Sequence, residues 1–323
     1  MNQNMKSLFT LQQVIRDFFR EQDFMDVMTP PVVSNPGMET HIHPFGLYQV
    51  HGDKKLNRYL HTSPEFHMKN LLAEGFEKIF TLTYCFRDEP ASENHRSQFV
   101  MLEWYRTLAS YEAIMDDCEG LLDYTVQKLE LAGIEVKGEM KTPMVRKTVQ
   151  EIFKEFLDLD ILEHLEVESL RTWIEGNGEG IPLPKEELSF DDLFFLIFLN
   201  KIEPELKKYP KLLLYEWPYQ LAALSKISEK DSRVCERFEI YLEGLELCNC
   251  FHELCDLSEQ KKRFEAQAKE KKELYGYNLP EAKLLYQSLE KGLDSPSGIA
   301  LGVERLLKGL TGMEDPFFIS SDN

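Results

Sequence analysis

The sequence predicts an α+β protein in which antiparallel hairpins alternate with amphipathic helices. Residues 79–86 and 99–106 read as one hairpin, and residues 237–242 and 245–251 as a second. Both are rich in β-branched and aromatic residues. The first turns through a polar loop and the second through Glu243-Gly244. The segments around them carry apolar residues at spacings of three and four, the period of a helix packed on a core. With 323 residues and 43% hydrophobic content, the chain suffices for one large domain or two small ones.

In chain order, residues 7–22 form the first helix. Leu8, Leu11, Val14, Ile15, Phe18 and Phe19 line one side, Arg16, Arg20 and Glu21 the other, with Ser7 as N-cap. A short strand follows and stops at Pro30-Pro31. Residues 34–44 are a loop with the turn Asn35-Pro36-Gly37. His41 and His43 alternate there without a nearby third ligand, so they read as ordinary loop residues. Leu60 to Glu65 is strand then turn, and a helix opens at Phe66.

Residues 110–132, 148–157 and 189–200 read as further helices, the second with a Thr148/Glu151 capping box. Residues 211–218 form a strand ending at Pro218. Cys248, Cys250, His252 and Cys255 alternate along one strand and cannot close a tetrahedron unaided, so they read as small core residues rather than a zinc site. Two helices, 258–275 and 281–291, complete the pattern.

The charge balance narrows the functions. Thirty-seven basic against 56 acidic side chains give a formal charge of −19, which makes a large nucleic acid an unsuitable main partner. The longest apolar run, residues 193–199, is too short to span a bilayer. Met1 to Ser7 lacks a basic-then-apolar leader, and six cysteines are too few for a disulfide scaffold. A cytoplasmic protein with reduced thiols is expected.

The chemistry concentrates at the first hairpin. Arg87 sits at the root of a loop that carries Glu89, His95 and Arg96. A fixed arginine beside a cationic loop suits a polyphosphate.

Phe86-Arg87-Asp88-Glu89, followed by His95, Phe99 and Met101-Leu102-Glu103-Trp104-Tyr105, resembles motif 2 of the class II aminoacyl-tRNA synthetases, in their lysyl branch. Gly298-Ile299-Ala300-Leu301-Gly302-Val303-Glu304-Arg305-Leu306 resembles motif 3 of the same class. The helix, strand and prolines over about residues 11–31 resemble motif 1, with Asp23 where the family usually has Gly. Motif 2 spans about residues 79–106 and motif 3 about residues 298–310.

The resemblance implies one catalytic domain over 1–323, a mainly antiparallel sheet flanked by helices, and a homodimer formed through motif 1. It implies ATP and Mg²⁺ as cofactors, with Arg87 and Arg305 catalytic. Around the nucleotide it places Arg87, Asp88, Glu89, Arg96, Phe99, Glu246, Leu247, Gly302 and Arg305. The amino acid falls to Ser63, Pro64, Glu65, Tyr105, Asn249, Glu253 and Ala300, and the magnesium to Glu246 and Glu253. Strict alternation sets Glu246 and Glu253 on opposite faces, so the strand has to bend or end after Cys250 if both are to reach one ion.

Motif 1 begins near residue 11, leaving no room for the anticodon-binding domain of a lysyl-tRNA synthetase, so tRNA is an unlikely partner. Within the lysyl branch, Thr62-Ser63-Pro64-Glu65 with His67-Met68-Lys69, Glu103-Trp104-Tyr105-Arg106 and Ala300 resemble the free-standing ligases that act on elongation factor P. That resemblance implies (R)-β-lysine, or lysine, as the activated acid and elongation factor P as the acceptor. A lysyl-tRNA synthetase-like enzyme and a non-catalytic amino acid or nucleotide binder stay open as alternatives. Arg96 in place of Asn, Glu304 in place of Asp and Cys250 in place of Gly depart from the branch.

Overall fold

The computed structural model describes residues 3–49, 51 and 54–317. Met1 and Asn2, part of the stretch read for a leader, lie outside them. Two compact units divide the chain. The first runs to Val136 and resumes at Glu253, and the second is Lys137–His252.

The first unit holds motifs 1, 2 and 3. Lys78–Phe86 and Gln98–Arg106 pair antiparallel over their whole length, from Lys78↔Arg106 to Phe86↔Gln98. Ser297–Gly302 pairs antiparallel with the outer side of the second strand, and Met25–Asp26 runs parallel to the first. A small sheet of Val32–Val33, Lys54–Leu60 and Gly46–Gln49 stands apart from these strands.

The first helix is Gln3–Glu21, four residues longer at its start than its periodicity suggests. Ser7 is therefore not its N-cap but a buried residue on the packed face, 1% exposed. A serine can satisfy its hydroxyl against the preceding helical turn, so it fits inside a helix as well as at its end. The buried face drives Phe19 against Phe80, with rings 4.8 Å apart, and against Trp104 at 5.1 Å. Asp23 ends the segment in the left-handed region at φ 61°, which explains how an Asp serves where the family uses Gly.

Motif 3 is a strand that becomes the helix Val303–Thr311. Glu304, 3% exposed, accepts the Val100 N–H at 2.9 and 3.1 Å and so ties this helix to the motif 2 strand. Burial pushes its pKa from 4.5 up to about 7. A raised carboxyl pKa means the folded state binds the proton more tightly. Its contribution is therefore fully present below pH 4.5 and lost as pH rises towards 7, on the order of 3 kcal/mol. Urea midpoints measured from pH 4.5 to 8 should fall over that window, and Glu304→Gln should remove this component. An identical pH profile in the variant would refute it.

In the second unit, Leu245–His252, Val234–Leu242 and Lys211–Pro218 are antiparallel neighbours, and Val145–Thr148 adds a parallel edge. The capping box of Thr148 and Glu151 opens Val149–Leu157. Phe153, Phe194, Phe198 and Trp217 form an aromatic core under these strands. Among the described residues, no helix is long and apolar enough to cross a membrane.

Candidate active site

Arg87 leaves the motif 2 strand with its N–H bonded to Ser97 O at 2.9 Å and its guanidinium 5.3 Å from the Phe99 ring centre. Its Nε is buried and has no hydrogen-bond partner among the described residues. A buried N–H without an acceptor costs free energy, so this arginine is arranged to receive one. Asp88 and Glu89 line an open cleft with His43, Pro44, Pro90 and Tyr277. His41 and His43 bond to Tyr275 and Tyr277 at 2.8 and 2.7 Å.

The motif 2 loop lies against the motif 3 helix. Arg305 Nη2 is 2.8 Å from His95 Nε2, and an arginine can only donate. His95 Nε2 therefore accepts, which leaves the proton on Nδ1 to be donated to Ser92 Oγ at 2.9 Å. Burial and the Arg305 charge both lower the His95 pKa, which keeps the ring neutral. Lys308 adds bonds to Glu93 at 2.6 Å and Asn94 at 2.8 Å. Arg96 pairs with Asp315 at 3.4 Å and stacks over Phe317 at 4.4 Å, so it leans towards the end of the described chain. A Cβ at Gly302 would meet only the Arg305 side chain, at 3.5 Å. Packing within the protein therefore does not require glycine there.

A second cluster of the first unit is acidic. Lys69, 2% exposed, places its ammonium 2.5 Å from Glu65 Oε1 and 2.6 Å from Glu253 Oε2. Ser63 donates to Glu103 Oε1 at 2.5 Å and accepts the Glu65 N–H at 3.0 Å. Tyr105 donates to the other Glu103 oxygen at 3.3 Å. Two carboxylates thus share one fixed cation, while the third, Glu103, is bonded to Ser63 and Tyr105. Burial, with Glu65 adding to it, pushes Glu103 up to about 8. Burial also lifts Glu253 to about 8 against the opposing pull of Lys69. Such a pocket is electrostatically set for an incoming ammonium.

Ala300 is half-buried directly across the strands from Glu103. Gly298 pairs with Tyr105, and a Cβ built there would fall 2.0 Å from the tyrosine ring. Gly298→Ala should therefore displace Tyr105 and cost roughly 1–3 kcal/mol. A thermal melt unchanged from the parent protein would overturn that.

The second unit carries the other predicted residues. The hairpin turns through Glu243 and Gly244 at φ 49° and 83°. The strand does not end after Cys250 but runs on to His252, with a bulge between Glu246 and Cys248. Glu246 faces Tyr241 and Asn249 faces Glu239, so the extra residue, Leu247, puts Glu246 and Asn249 on one face. Period-two counting cannot anticipate a bulge. Arg237 holds Asn249 Oδ1 at 3.2 Å, Glu239 at 2.6 Å and Leu221 O at 2.7 Å, and packs over Trp217 at 4.7 Å. Cys248 and Cys250 are buried.

The donor chemistry suits magnesium in part. Glu246 is a half-buried hard oxygen donor. Glu253 already shares its carboxylate with the Lys69 ammonium, which fits a cationic amine better than a dication. Among the described residues, no group of three or more His, Cys, Asp or Glu side chains could hold a metal ion.

Sequence reasoning used Lys69 and Glu103 only as branch markers and missed their place in the pocket. The Glu65/Lys69 spacing of four on a helix was the available signal for the first. Glu103, a charge inside an apolar strand, was the signal for the second.

A family model described as tRNA synthetases class II (D, K and N) matches residues 1–315. The chain is 36% identical over 306 residues to the elongation factor P--(R)-beta-lysine ligase of Vibrio cholerae, covering 94% of this chain and 90% of that protein. It is 34% identical over 305 residues to the ligase of that name from Proteus mirabilis, covering 93% and 88%. For the Haemophilus influenzae ligase the figures are 35% over 298 residues, 91% and 86%.

Proposed function

We propose that this chain, which belongs to the class II tRNA synthetases of the D, K and N type, is an ATP-dependent ligase that activates (R)-β-lysine and joins it to a lysine side chain of elongation factor P. The observation that carries the activation step is the buried, unsatisfied Nε of Arg87.

In the first step the amino acid carboxylate attacks the α-phosphate, the bond to pyrophosphate breaks, and an acyl-adenylate forms. Two anions must approach each other, so a fixed cation between them lowers the barrier directly. Arg87 is that cation, and Phe99 packs beside its guanidinium. Arg305 takes the terminal phosphate, with Asp88, Glu89, Arg96 and Gly302 around the nucleotide. In the second step the acceptor amine attacks the acyl carbon and AMP leaves. Positioning and charge suffice, without a protein nucleophile.

Glu65 and Glu253 hold an ammonium of the substrate, with Ser63, Pro64, Tyr105 and Ala300 shaping the pocket. Magnesium, when bound, neutralises charge on the triphosphate, and Glu246 is the residue suited to hold it. The exposed Met25 and Met28, at 53% and 94%, support a homodimer through motif 1. The same reading places the protein in the cytoplasm.

The test is ATP–pyrophosphate exchange with (R)-β-lysine, α-lysine or no amino acid, followed by transfer to elongation factor P or to tRNA. Exchange strongest with β-lysine and transfer to the protein acceptor are expected. Exchange with α-lysine alone and charging of tRNA would replace this reading with a synthetase-like one. Absence of exchange with either acid would leave a binding protein.

A further inference from the structure

Burying a lysine strips its ammonium of water, so a helix spends one on an inward position only where the group is fully bonded. Lys271, 1% exposed, turns inward from the helix Leu257–Tyr275. Its ammonium donates to Glu39 O at 2.8 Å, Thr40 O at 2.9 Å and Ile42 O at 2.7 Å, and stands 5.4 Å from the Tyr277 ring centre. Three donors meet three carbonyls, so the whole bonding capacity of the group goes into one stretch of loop backbone. Lys69 holds carboxylates, whereas Lys271 holds main chain.

The same part of the molecule grips this loop on either side. The Thr40 hydroxyl is 2.8 Å from Glu270, His41 Nδ1 is 2.8 Å from the Tyr275 hydroxyl, and His43 Nδ1 is 2.7 Å from the Tyr277 hydroxyl. Asn35 donates to Pro280 O. A surface connection with no task is not usually tied down so heavily.

The far side of the loop shows what these bonds hold still. Pro36 O accepts the Thr62 hydroxyl at 2.6 Å, one residue before Ser63. His43 O accepts the Asp88 N–H at 2.7 Å. That bond completes a run at the root of the motif 2 loop. The Phe86 N–H goes to His61 O at 3.1 Å, the Arg87 N–H to Ser97 O at 2.9 Å, and the Asp88 N–H to His43 O. Strand pairing stops at Phe86↔Gln98, so past it the backbone that carries Arg87 takes its direction from these carbonyls.

We infer that Lys271 is a positioning residue for the activation chemistry. By fixing Glu39 to Ile42 it fixes the next carbonyl, that of His43, and through Asp88 the turn from which Arg87 reaches out. The inference rests on the proposed amino acid activation, in which Arg87 stands between the two anions. A helix outside all three motifs thus aims the arginine of motif 2, from residues more than 180 positions away in the chain.

The experiment measures pyrophosphate exchange with (R)-β-lysine for the full-length protein and for Lys271→Met, each with Arg87 intact and with Arg87→Ala. Misplacing a reacting group by about 1 Å costs on the order of 100-fold, so Lys271→Met should lower kcat about 10- to 100-fold where Arg87 is present. Where Arg87 is already alanine there is no guanidinium to misplace, and the second substitution should change kcat by less than about threefold. A lysine that only stabilised the fold would reduce the active fraction equally in both backgrounds. Equal losses, or full activity in a folded Lys271→Met, would overturn the inference. Thr40→Val takes one bond from the same loop without emptying the buried site, and it decides the matter if Lys271→Met does not fold. It should lower kcat about two- to fivefold, the worth of one hydrogen bond, and only while Arg87 is present. No loss, or the same loss in both backgrounds, would overturn the inference there too. No exchange by the unsubstituted protein with any amino acid would overturn the ligase reading and this inference with it.

Discussion

Arg87→Ala should lower amino-acid-dependent pyrophosphate exchange by about a thousandfold, the upper range for removing one fixed donor from a developing charge. The effect should fall on kcat rather than on KM for ATP, because the approach of two anions is felt most in the transition state. Little stability should be lost. Arg87 is half-buried, its Nε has no partner to abandon, and its packing is against the Phe99 ring alone among described aromatic residues. Exchange kinetics beside a thermal melt separate the two effects. A variant that retains a tenth of the parent activity would remove Arg87 from the chemistry. A variant that is inactive because it has unfolded would show a broadened or lost melting transition.

Lys69→Met should be the most destabilising single change in the first unit. Its ammonium is within 2.6 Å of both Glu65 and Glu253, and neither the lysine nor Glu253 side chain is more than 2% exposed. Burial opposes the lysine charge, but Glu253 and Glu65 outweigh it and raise its pKa well above the usual value. Removing the cation leaves two carboxylates, with Glu103 behind them, in a site that water barely reaches. Breaking a buried pair in this way costs about 3–5 kcal/mol. Urea unfolding would register the loss as a lower midpoint at unchanged slope. A loss below about 1 kcal/mol would mean that the carboxylates take up protons freely, and that Lys69 is not what holds Glu65 and Glu253 in place.

The elements of this protein were written plainly in the chain. The hairpin of motif 2, the capping box at Thr148, the Glu243-Gly244 turn and the amphipathic helices each follow from a period or a turn chemistry that acts over a few residues. Motifs 1, 2 and 3 could be placed for the same reason. Each is a local string in which backbone conformation and ligand contacts are made by residues close in sequence. Where local signals ran out, the readings slipped. Ser7 has the composition of a cap and sits inside a helix, because the preceding turn also folds when packing rewards it.

What only the tertiary structure decided is the electrostatics of the pocket. Glu65, Lys69, Glu103 and Glu253 come from a helix, a strand and a loop separated by up to 188 residues, and beyond the Glu65/Lys69 spacing of four nothing in the chain says that the same ammonium also serves Glu253. The bulge that brings Glu246 and Asn249 to one face is likewise invisible to a count by twos. Lys271 was silent in the sequence, since one more lysine on a charged helix carries no signal. Its place was settled by the carbonyls of Glu39, Thr40 and Ile42, which reach it through space. Short-range conformational preferences are encoded locally. Burial and charge, which set what a carboxylate can bind, depend on every chain segment that packs around it.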